Sequence, residues 1–471
     1  MEMTVDQKVL VNDLAGIVGA ENVIHDLPTR ITYAQDPMPY DVEEHNIPYV
    51  IIRPANSEEV SKILKYANEK KIPVHVRGAG TSLVGIARPK TNCILLDLRR
   101  MRNIEIYPER GYFEAGAGAR LWEIREELAK YNCILPIYPG SERIATIGGA
   151  IASNTSAHAV DAAFAKPGDF VLGLEVVLPT GEILNTGTES TRRPAGVELT
   201  KLFIGSEGLF GVITKVRMRL VPKIYTKNLV AYYKEIDDVL KTVVDMYKRM
   251  IPPPLFFEFL DAFAAKVGFE AVGLPEPSGP VVIITMHDWV ENGVVEKAEK
   301  MLSFLKIENI IEAKIIEDEE EWNKIWSSRA GVGNFINRRW VCAGSEITPR
   351  VDLLPQAYHE AVALKDKLET YKNPEFCSFG HIGAPTLHAY YMIPFETPND
   401  VRKKFIMEVR RRTEEINIKY GGCGGEWGIT GQRADFIKMK FGDIYYNLLV
   451  RIKKTLDPNN ILNRGNLEGV W

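Results

Sequence analysis

The segment Ile72-Pro-Val-His-Val-Arg77 continues directly into Gly78-Ala-Gly-Thr-Ser-Leu-Val-Gly85, so a predicted strand runs into a glycine-rich loop. Glycine lets main-chain amides approach a ligand closely, and the hydroxyls of Thr81 and Ser82 add donors. The loop therefore suits a bound anion. Three spaced glycines that open a helix, which is the pattern of nicotinamide sites, are absent because the chain proceeds toward Pro89. Taken alone, the loop is equally compatible with a turn that binds nothing.

Outward from this loop the chain alternates between predicted strands and helices. Ser57 is the predicted cap of a helix whose apolar residues recur at helical spacing. The turn Pro179-Thr-Gly-Glu182 provides a glycine free to take positive φ. The predicted elements are strands at Tyr49–Ile52, Cys93–Leu98, Tyr112–Ala115, Val171–Leu178 and Val212–Leu220, and helices at Met1–Gly19, Ser57–Lys70 and Leu121–Tyr131.

Two more segments rich in small residues follow the first loop. Ala145-Thr-Ile-Gly-Gly-Ala-Ile-Ala-Ser-Asn154 places small side chains where a flat cofactor or a close backbone contact needs them. Phe203-Ile-Gly-Ser-Glu-Gly-Leu-Phe-Gly-Val-Ile-Thr214 sets Glu207 between glycines just before a strand. Three such segments in this order favour a cofactor site over an isolated turn.

Beyond Pro222 the pattern changes to a second domain. Helices are predicted at Val239–Met250, Val294–Leu305 and Leu354–Tyr371, and strands at Val281–Met286 and His388–Ile393. The predicted fold class is therefore α+β.

Composition limits the classes of function. The 471 residues include 45% hydrophobic and 25% charged side chains with a net charge of -4, which is typical of a globular protein and does not indicate nucleic-acid binding. Five cysteines stand far apart, so neither a metal-thiolate motif nor a disulfide scaffold is expected. With no secretory or membrane-spanning segment predicted, we expect a cytoplasmic protein that is not integral to a membrane.

The three glycine-rich segments resemble the FAD-binding domain of the vanillyl-alcohol oxidase and p-cresol methylhydroxylase superfamily. The likeness is strongest to its branch of FAD-linked D-lactate, glycolate and D-2-hydroxyglutarate dehydrogenases, and Leu456-Asp-Pro-Asn-Asn-Ile-Leu-Asn463 is similar to the family's usual ending. The resemblance implies a two-subdomain FAD-binding domain over residues 1–222 and a ferredoxin-like α+β cap over 223–425. It also implies a C-terminal helical segment, 426–471, that packs back on the FAD domain.

The resemblance implies FAD contacts in each segment. The FAD is expected to be non-covalent, because no histidine lies within Arg77–Leu83, and His158 is the alternative attachment point. The implied contacts are Arg77, Gly78, Ala79, Gly80, Thr81, Ser82, Leu83, Pro139, Gly140, Ser141, Thr146, Gly148, Gly149, Ser153, Glu207, Gly208, Ile213 and Asn463.

The same branch binds a divalent metal, for which His381, His388 and Glu426 are the matching residues. Two imidazoles and a carboxylate suit zinc, manganese or iron(II), although ordinary hydrogen-bonded side chains are the competing interpretation. The chain departs from the family pattern between the histidines, at Ala384-Pro-Thr386, and after the glutamate, where Trp427 replaces the histidine expected as the general base. Indole cannot accept a proton.

Other residues must then take the hydroxyl proton. The candidates are Tyr390, Tyr391 and an unliganded Glu426, and strand alternation lets only one of the two tyrosines face the site. Arg329 resembles the family arginine that clamps a substrate carboxylate, with a surface salt bridge as the alternative. Trp427 would also enlarge the apolar lining and favour a bulkier or aromatic substrate.

The predicted function is oxidation of a D-2-hydroxy acid by hydride transfer to flavin. The chain lacks an iron-sulfur motif, so electrons are expected to leave to an electron-transferring flavoprotein, an iron-sulfur subunit or quinone, and a homodimer is also expected. Two alternatives stay open: a metal-free oxidase or dehydrogenase of a phenolic or bulky aromatic alcohol, and a flavin-bearing subunit without catalytic activity.

Overall fold

The computed structural model describes residues 7–37, 42–155, 166–190, 192, 196–422, 428 and 434–467. In this part of the chain the helices are α1 (Gln7–Val18), α2 (Leu27–Tyr33), α3 (Ser57–Lys70), α4 (Leu121–Ala129), α5 (Ile147–Ala152), α6 (Thr200–Phe203), α7 (Ile236–Lys248), α8 (Ala262–Ala271), α9 (Glu291–Leu305), α10 (Glu319–Ala330), α11 (Val332–Asn337), α12 (Leu354–Leu364), α13 (Asn399–Lys419) and α14 (Ala434–Leu456). The strands are β1 (Val23–Ile24), β2 (Val50–Ile52), β3 (Val74–Arg77), β4 (Ile94–Asp97), β5 (Ile104–Tyr107), β6 (Tyr112–Gly116), β7 (Cys133–Ile134), β8 (Val171–Val177), β9 (Ile183–Asn185), β10 (Val212–Arg219), β11 (Val221–Pro222), β12 (Tyr225–Tyr233), β13 (Phe256–Leu260), β14 (Val281–Asp288), β15 (Ile310–Ile316), β16 (Val341–Ile347), β17 (Glu375–Gly380) and β18 (Leu387–Ile393). None of the described helices is both long and apolar enough to cross a bilayer.

The chain divides into two compact units. Unit one contains Met1–Thr155, Lys166–Val221 and Trp427–Trp471, and unit two is formed chiefly by Pro222–Glu426. Unit one is therefore built from distant parts of the sequence, whereas unit two is close to continuous.

One sheet of unit one has the strand order β1-β2-β4-β3, with β2, β4 and β3 parallel. Its central strands are fully buried and apolar except for Asp97 at the end of β4, as expected for parallel strands covered on both faces. Helix α3 packs its predicted apolar face into this core. The predicted cap of α3 was wrong: the Asn56 side chain accepts from the Glu59 amide at 2.9 Å, and Ser57 is the first helical residue, whose hydroxyl donates to Glu175.

The second sheet of unit one has the order β5-β6-β10-β8-β9 and is antiparallel. From Thr214 onward β10 alternates between buried side chains and the more exposed Lys215, Arg217 and Arg219, as its sequence predicts. Gly181 takes the predicted positive φ, 89°, in the turn before β9. After α14, which is interrupted at Gly442 (φ 80°), Leu462 forms a parallel bridge to Val74 of β3.

Unit two contains an antiparallel sheet whose described strands run β15-β12-β14-β13-β17-β18-β16. The first four follow the ferredoxin-like order, with α7 and α9 in the crossover connections, and the last three extend that sheet. This arrangement confirms the α+β class and the ferredoxin-like cap. Helix α12 ends at Leu364, well before the predicted Tyr371, and a short 3₁₀ turn at Lys365–Lys367 follows it.

Candidate functional site

The three glycine-rich segments lie together in unit one. A Cβ atom placed on Gly78 would stand 2.3 Å from Thr146 Oγ1, so the first and second segments touch. The amides of Gly205 and Glu207 donate to the carbonyls of Ile151 and Ala152, at 3.1 and 2.8 Å, so the third segment is hydrogen-bonded to the end of α5. The fold thus gathers the predicted cofactor-binding segments at one place.

Arg77 gives the loop after β3 its shape. Its Nη1 donates to the carbonyls of Tyr33, Gln35 and Ala87, at 3.1, 2.8 and 2.9 Å, and burial lowers the pKa of the guanidinium. A Cβ atom on Gly80, whose φ is +73°, would stand 2.2 Å from Arg77 Nη2. The predicted FAD contact Arg77 therefore binds main-chain carbonyls with its side chain, and glycine is required beside it.

Asn463 joins the first and third segments. Its Oδ1 accepts from the Val76 amide at 2.9 Å, and its Nδ2 donates to the Glu207 carbonyl at 2.7 Å. Glu207 has a positive φ of 54°, a strained value for a residue with a side chain. Gly208 follows at φ +74°, where a Cβ atom would stand 2.7 Å from Asn463 Nδ2. A C-terminal side chain thus fixes the geometry of the site.

Thr146 tests whether the site fits a cofactor. The residue is 2% exposed and its Oγ1 is buried without a hydrogen-bond partner. An unsatisfied buried hydroxyl costs free energy, which a ligand that bonds to it would offset. Next to it, Gly148 lies against Ala117, so close that a Cβ atom would stand 2.5 Å from the alanine Cβ. The unpartnered hydroxyl of Thr146 fits a hydrogen bond to the cofactor predicted for these segments, and Gly148 lets the helix that follows it pack closely on Ala117.

The remaining predicted contacts lie around this cradle. Ser153 Oγ donates to the Gly149 carbonyl at 2.9 Å, and Ser82 Oγ accepts from the Val84 amide at 3.3 Å. Leu83 is exposed. Pro139 and Ser141 accept main-chain hydrogen bonds in the turn that contains Gly140, Ile213 is buried on β10, and Ala79 and Thr81 lie in the loop after β3.

A cluster of buried charges occupies unit two. Glu258, on β13, is fully buried, and its two carboxylate oxygens lie 2.7 and 3.0 Å from Nδ1 of His381. Nη2 of Arg329, on α10, lies 2.6 Å from Glu258 Oε2, and Arg329 is 3% exposed. The predicted surface alternative for Arg329 is therefore wrong: its ion pair is internal.

Aromatic side chains enclose this cluster. The Arg329 guanidinium lies 5.2 Å from the centre of the Phe379 ring, and the rings of His381 and His388 meet edge to face at 5.1 Å. Tyr390 packs on Phe379 at 4.9 Å and shares the face of β18 that carries His388. The fold thus brings together His381, His388, Tyr390 and Arg329 as the sequence predicts.

Tyr391 points to the opposite face of the sheet. Its hydroxyl donates to the Ala361 carbonyl at 2.7 Å, the side chain is fully buried, and burial raises its pKa above the usual range. This placement corrects the suggestion that Tyr391 takes the substrate proton and leaves Tyr390 as the tyrosine beside the histidines.

The predicted metal centre depends on residues that lie partly outside the described ranges. Glu426, Trp427 and His158 are among the residues that the structure does not describe. Within the described ranges no three histidine, cysteine, aspartate or glutamate side chains form a group that could hold a metal ion.

Glu258 is the functional candidate that the sequence predictions missed. It lies 123 residues before His381, so no local motif links the two. A signal was nevertheless present, because Phe256-Phe-Glu-Phe-Leu260 places one carboxylate in an otherwise apolar strand. A buried charge needs a partner, so such a residue predicts a cation or a histidine facing it.

Comparisons with known proteins agree with this picture. A model of the FAD binding domain matches residues 48–187, and one of the C-terminal domain of FAD linked oxidases matches residues 224–467. The chain is 30% identical to a glycolate oxidase subunit of Bacillus subtilis, over 96% of this chain and 95% of that protein. It is 29% identical to a D-lactate dehydrogenase of Archaeoglobus fulgidus, over 88% and 90%.

Solved structures share the fold. A p-cresol methylhydroxylase superposes with a TM-score of 0.80 at 17% identity, covering 98% of this chain and 96% of the other. A 4-ethylphenol oxidase of Gulosibacter chungangensis gives 0.77 at 19% identity, covering 99% and 98%. At these identities the likeness concerns the fold alone.

Proposed function

The chain belongs to the family of FAD-linked oxidases, and we propose that it oxidises a small 2-hydroxy acid of the D-lactate or glycolate type. Bound FAD, held without a covalent bond, would supply the two-electron acceptor. Two relatives that cover 96% and 88% of this chain carry names of this substrate class. Because both names belong to this class, we narrow the proposed substrate from alcohols in general to hydroxy acids.

The observation that carries the proposal is the state of Arg329. Its guanidinium is buried with Nη2 2.6 Å from Glu258 Oε2, yet neither Nε nor Nη2 makes a hydrogen bond of acceptable geometry in the described structure. An unsatisfied buried donor on a permanent cation suits a carboxylate, which accepts hydrogen bonds from a guanidinium along one edge. We propose that the substrate carboxylate binds there, beside His381, His388 and Tyr390.

A divalent metal has no step in this proposal. The described donors are two imidazoles, and Nδ1 of His381 is engaged with Glu258. The Arg329 cation already pairs with that carboxylate, and the described ranges contain no group of three side chains that could hold a metal ion. We therefore assign the binding of the carboxylate to Arg329 and leave the metal aside.

Electrons would leave the flavin to a separate acceptor. The described cysteines Cys93, Cys133, Cys342 and Cys377 are free, so this part of the chain offers no iron-sulfur ligand set of its own. We propose an electron-transferring flavoprotein, an iron-sulfur subunit or a quinone as the acceptor.

A second candidate is metal-free oxidation of a phenolic or bulky aromatic alcohol. Trp326 stacks on Phe256 at 5.0 Å and on Trp322 at 5.8 Å, so an aromatic wall extends from the Arg329 end of α10. Such a wall would pack against an aromatic substrate, whereas a substrate as small as lactate does not need it.

Anaerobic mixing separates these functions. We expect D-lactate or glycolate to bleach the flavin absorbance of the purified protein, with the L enantiomer of lactate as the stereochemical control. Bleaching by 4-alkylphenols alone would replace the proposal with the second candidate. Should no hydroxy acid or phenol reduce the flavin, the chain would be a flavin-bearing subunit without catalytic activity.

A further inference from the structure

Strand β15 forms one edge of the sheet in unit two. Among the described strands it pairs with β12 on one side and with no strand on the other. The amides and carbonyls along a strand face its two sides alternately, so an edge strand presents hydrogen-bonding groups that lack a partner strand. An open edge that is seven residues long is a surface to which another strand can be added.

The sequence of β15 is symmetric about its central residue, Ala313. It reads Ile310-Ile-Glu-Ala-Lys-Ile-Ile316, so a glutamate and a lysine flank the alanine, and two isoleucines lie beyond each of them. If two copies of this strand pair in antiparallel fashion about Ala313, Glu312 of each copy stands directly opposite Lys314 of the partner subunit. Directly opposite residues of an antiparallel pair project from the same face of the sheet, so each carboxylate meets an ammonium group.

We infer that a second copy of this chain binds to this edge, and that β15 of each copy pairs with β15 of the other to join the two sheets. A symmetric dimer needs an interface that is complementary to itself, and a two-fold axis through Ala313 meets that requirement. This inference gives the expected homodimer a defined surface. The oxidation proposed above does not depend on it.

The two charges select one register of this pairing. Moving the two-fold axis by one residue in either direction would place Glu312 opposite Glu312, or Lys314 opposite Lys314, of the partner subunit. Like charges directly opposite each other are destabilising. The pairing of β15 with β12 shifts register only between Tyr232 and Tyr233, before Glu312, so the charged centre lies in the regular part of the strand.

The state of the two charged side chains also favours self-pairing. Glu312 is exposed and makes no ion pair with another described residue. The ammonium of Lys314 lies 2.7 Å from Glu321 of α10, which holds it beside the strand, and two of its three donors are left for a second carboxylate. Charged side chains protect many edge strands from pairing, but here the two charges are opposite in sign and symmetrically placed, so pairing neutralises them.

Apolar side chains flank the charged centre. Ile311 is 54% exposed, and Ile310 and Ile315 are half-buried. Pairing about Ala313 would place Ile311 near Ile315 of the partner subunit at both ends, which removes apolar surface from water. Because the paired segment is short, the interface is smaller than that of a permanent dimer, and we expect a dimer that dissociates on dilution.

The test measures the dimer Kd by sedimentation over a range of protein concentrations. We expect Glu312→Lys and Lys314→Glu each to raise the dimer Kd about 10-fold or more, because each change places like charges opposite each other at two symmetric positions. The variant that carries both changes should regain the dimer. An equimolar mixture of the two single variants should form a heterodimer, because each copy then offers the charges that the other lacks.

Lys266→Glu is the matched control. Lys266 lies 3.0 Å from Glu276 in the same unit, and both side chains are more than half exposed, so this reversal should leave the dimer Kd unchanged. Hydrogen exchange of the wild type provides a measurement that needs no variant. Amide protection of β15 should rise with protein concentration, whereas that of β16, at the other edge of the described sheet, should stay constant.

Three results would overturn the inference. They are a wild type that stays monomeric at about 100 μM, single charge reversals that leave the dimer Kd within about 2-fold of the wild type, and a mixture of the single variants that does not associate. If a variant does not fold, the exchange measurement decides, and protection of β15 that is independent of concentration contradicts the pairing. Flavin reduction should be the same in every folded variant, so failure of the dimer would leave the proposed function intact.

Discussion

The cofactor cradle of unit one and the charge cluster of unit two are built in opposite ways. In the cradle, main-chain groups and glycines make the contacts, as where Gly78 meets Thr146 and Gly208 meets Asn463. In the cluster, three charged or polar side chains from separate elements, Glu258, Arg329 and His381, make them. Backbone sites tolerate little added volume, whereas side-chain sites tolerate little loss of charge. The expected responses to mutation differ accordingly.

The largest effect is expected from removing a charge in unit two. Arg329→Met leaves the Glu258 carboxylate buried without its cation, which should lower the free energy of unfolding by about 3–5 kcal/mol. Denaturant unfolding measures it. Arg339→Met is the control, because its pair with Glu270 at 3.2 Å is exposed and should contribute about 1 kcal/mol or less. Equal losses in the two variants would contradict the distinction between buried and exposed pairs.

The second-largest expected effect is the pH dependence of folding stability, and it also arises in unit two. Burial raises the pKa of Asp261 to about 7, so the native state keeps a proton that the unfolded chain releases near pH 4. This group therefore favours the native state at low pH, and that contribution is lost as pH rises toward 7, by about 1.4 kcal/mol per pH unit. Asp261→Asn should flatten the fall in melting temperature between pH 5 and 8.

The exposed Asp352 provides the control for this measurement. Its pKa is lowered by Arg350, so it is ionised throughout the pH 5 to 8 range. Asp352→Asn should leave the slope unchanged. A wild-type melting temperature that does not fall between pH 5 and 8 would count against the buried, protonated carboxyl.

The third effect tests the cradle with added volume. Gly148→Ala would place a methyl group 2.5 Å from the Ala117 Cβ and 2.9 Å from the Ala117 carbonyl oxygen. We expect a loss of about 1–3 kcal/mol in unfolding free energy, together with protein that purifies without flavin. Gly16→Ala, in α1 with open space around it, should instead stabilise by about 0.5–1 kcal/mol. Full flavin content in Gly148→Ala would show that the cofactor site accepts the added methyl group despite these short distances.

The smallest effect separates ligand binding from folding. Thr146→Val removes a buried hydroxyl that has no partner, so the apoprotein should keep or gain stability while FAD affinity falls about 5- to 10-fold. Thr186→Val is the control. It should lower the stability of the apoprotein and leave FAD affinity unchanged, because the Thr186 hydroxyl is hydrogen-bonded to Leu174 and Thr200. Fluorescence titration of apoprotein with FAD measures both. Unchanged FAD affinity in Thr146→Val would remove this hydroxyl from the site.

The cradle, which is built from backbone, and the cluster, which is built from side chains, also differ in how far the sequence could predict them. The glycine-rich segments were visible because a positive φ or a close backbone approach leaves a local trace, as at Gly80 and Gly208. The ferredoxin-like cap followed from family resemblance and is confirmed. Details that depend on competition between neighbouring groups were missed: Asn56 and not Ser57 caps α3, and α12 ends at Leu364.

The charge cluster was predictable only in part. His381, His388, Tyr390 and Arg329 were proposed as site residues, but their partner Glu258 was not, because pairing across 123 residues leaves no periodicity in the chain. The choice between Tyr390 and Tyr391 likewise depended on which face of β18 meets the site, and strand alternation alone does not fix that register.

The bridge between Leu462 and Val74, together with the Asn463 clamp, imposes an order on synthesis. The strand that leads into the first glycine loop emerges from the ribosome before unit two, but its partner in the clamp lies 387 residues later and emerges after unit two. Unit two, nearly continuous in sequence, can fold while the nascent chain is still attached. The bridge and the clamp can form only after unit two has been translated, so FAD binding that depends on Asn463 would follow the synthesis of unit two.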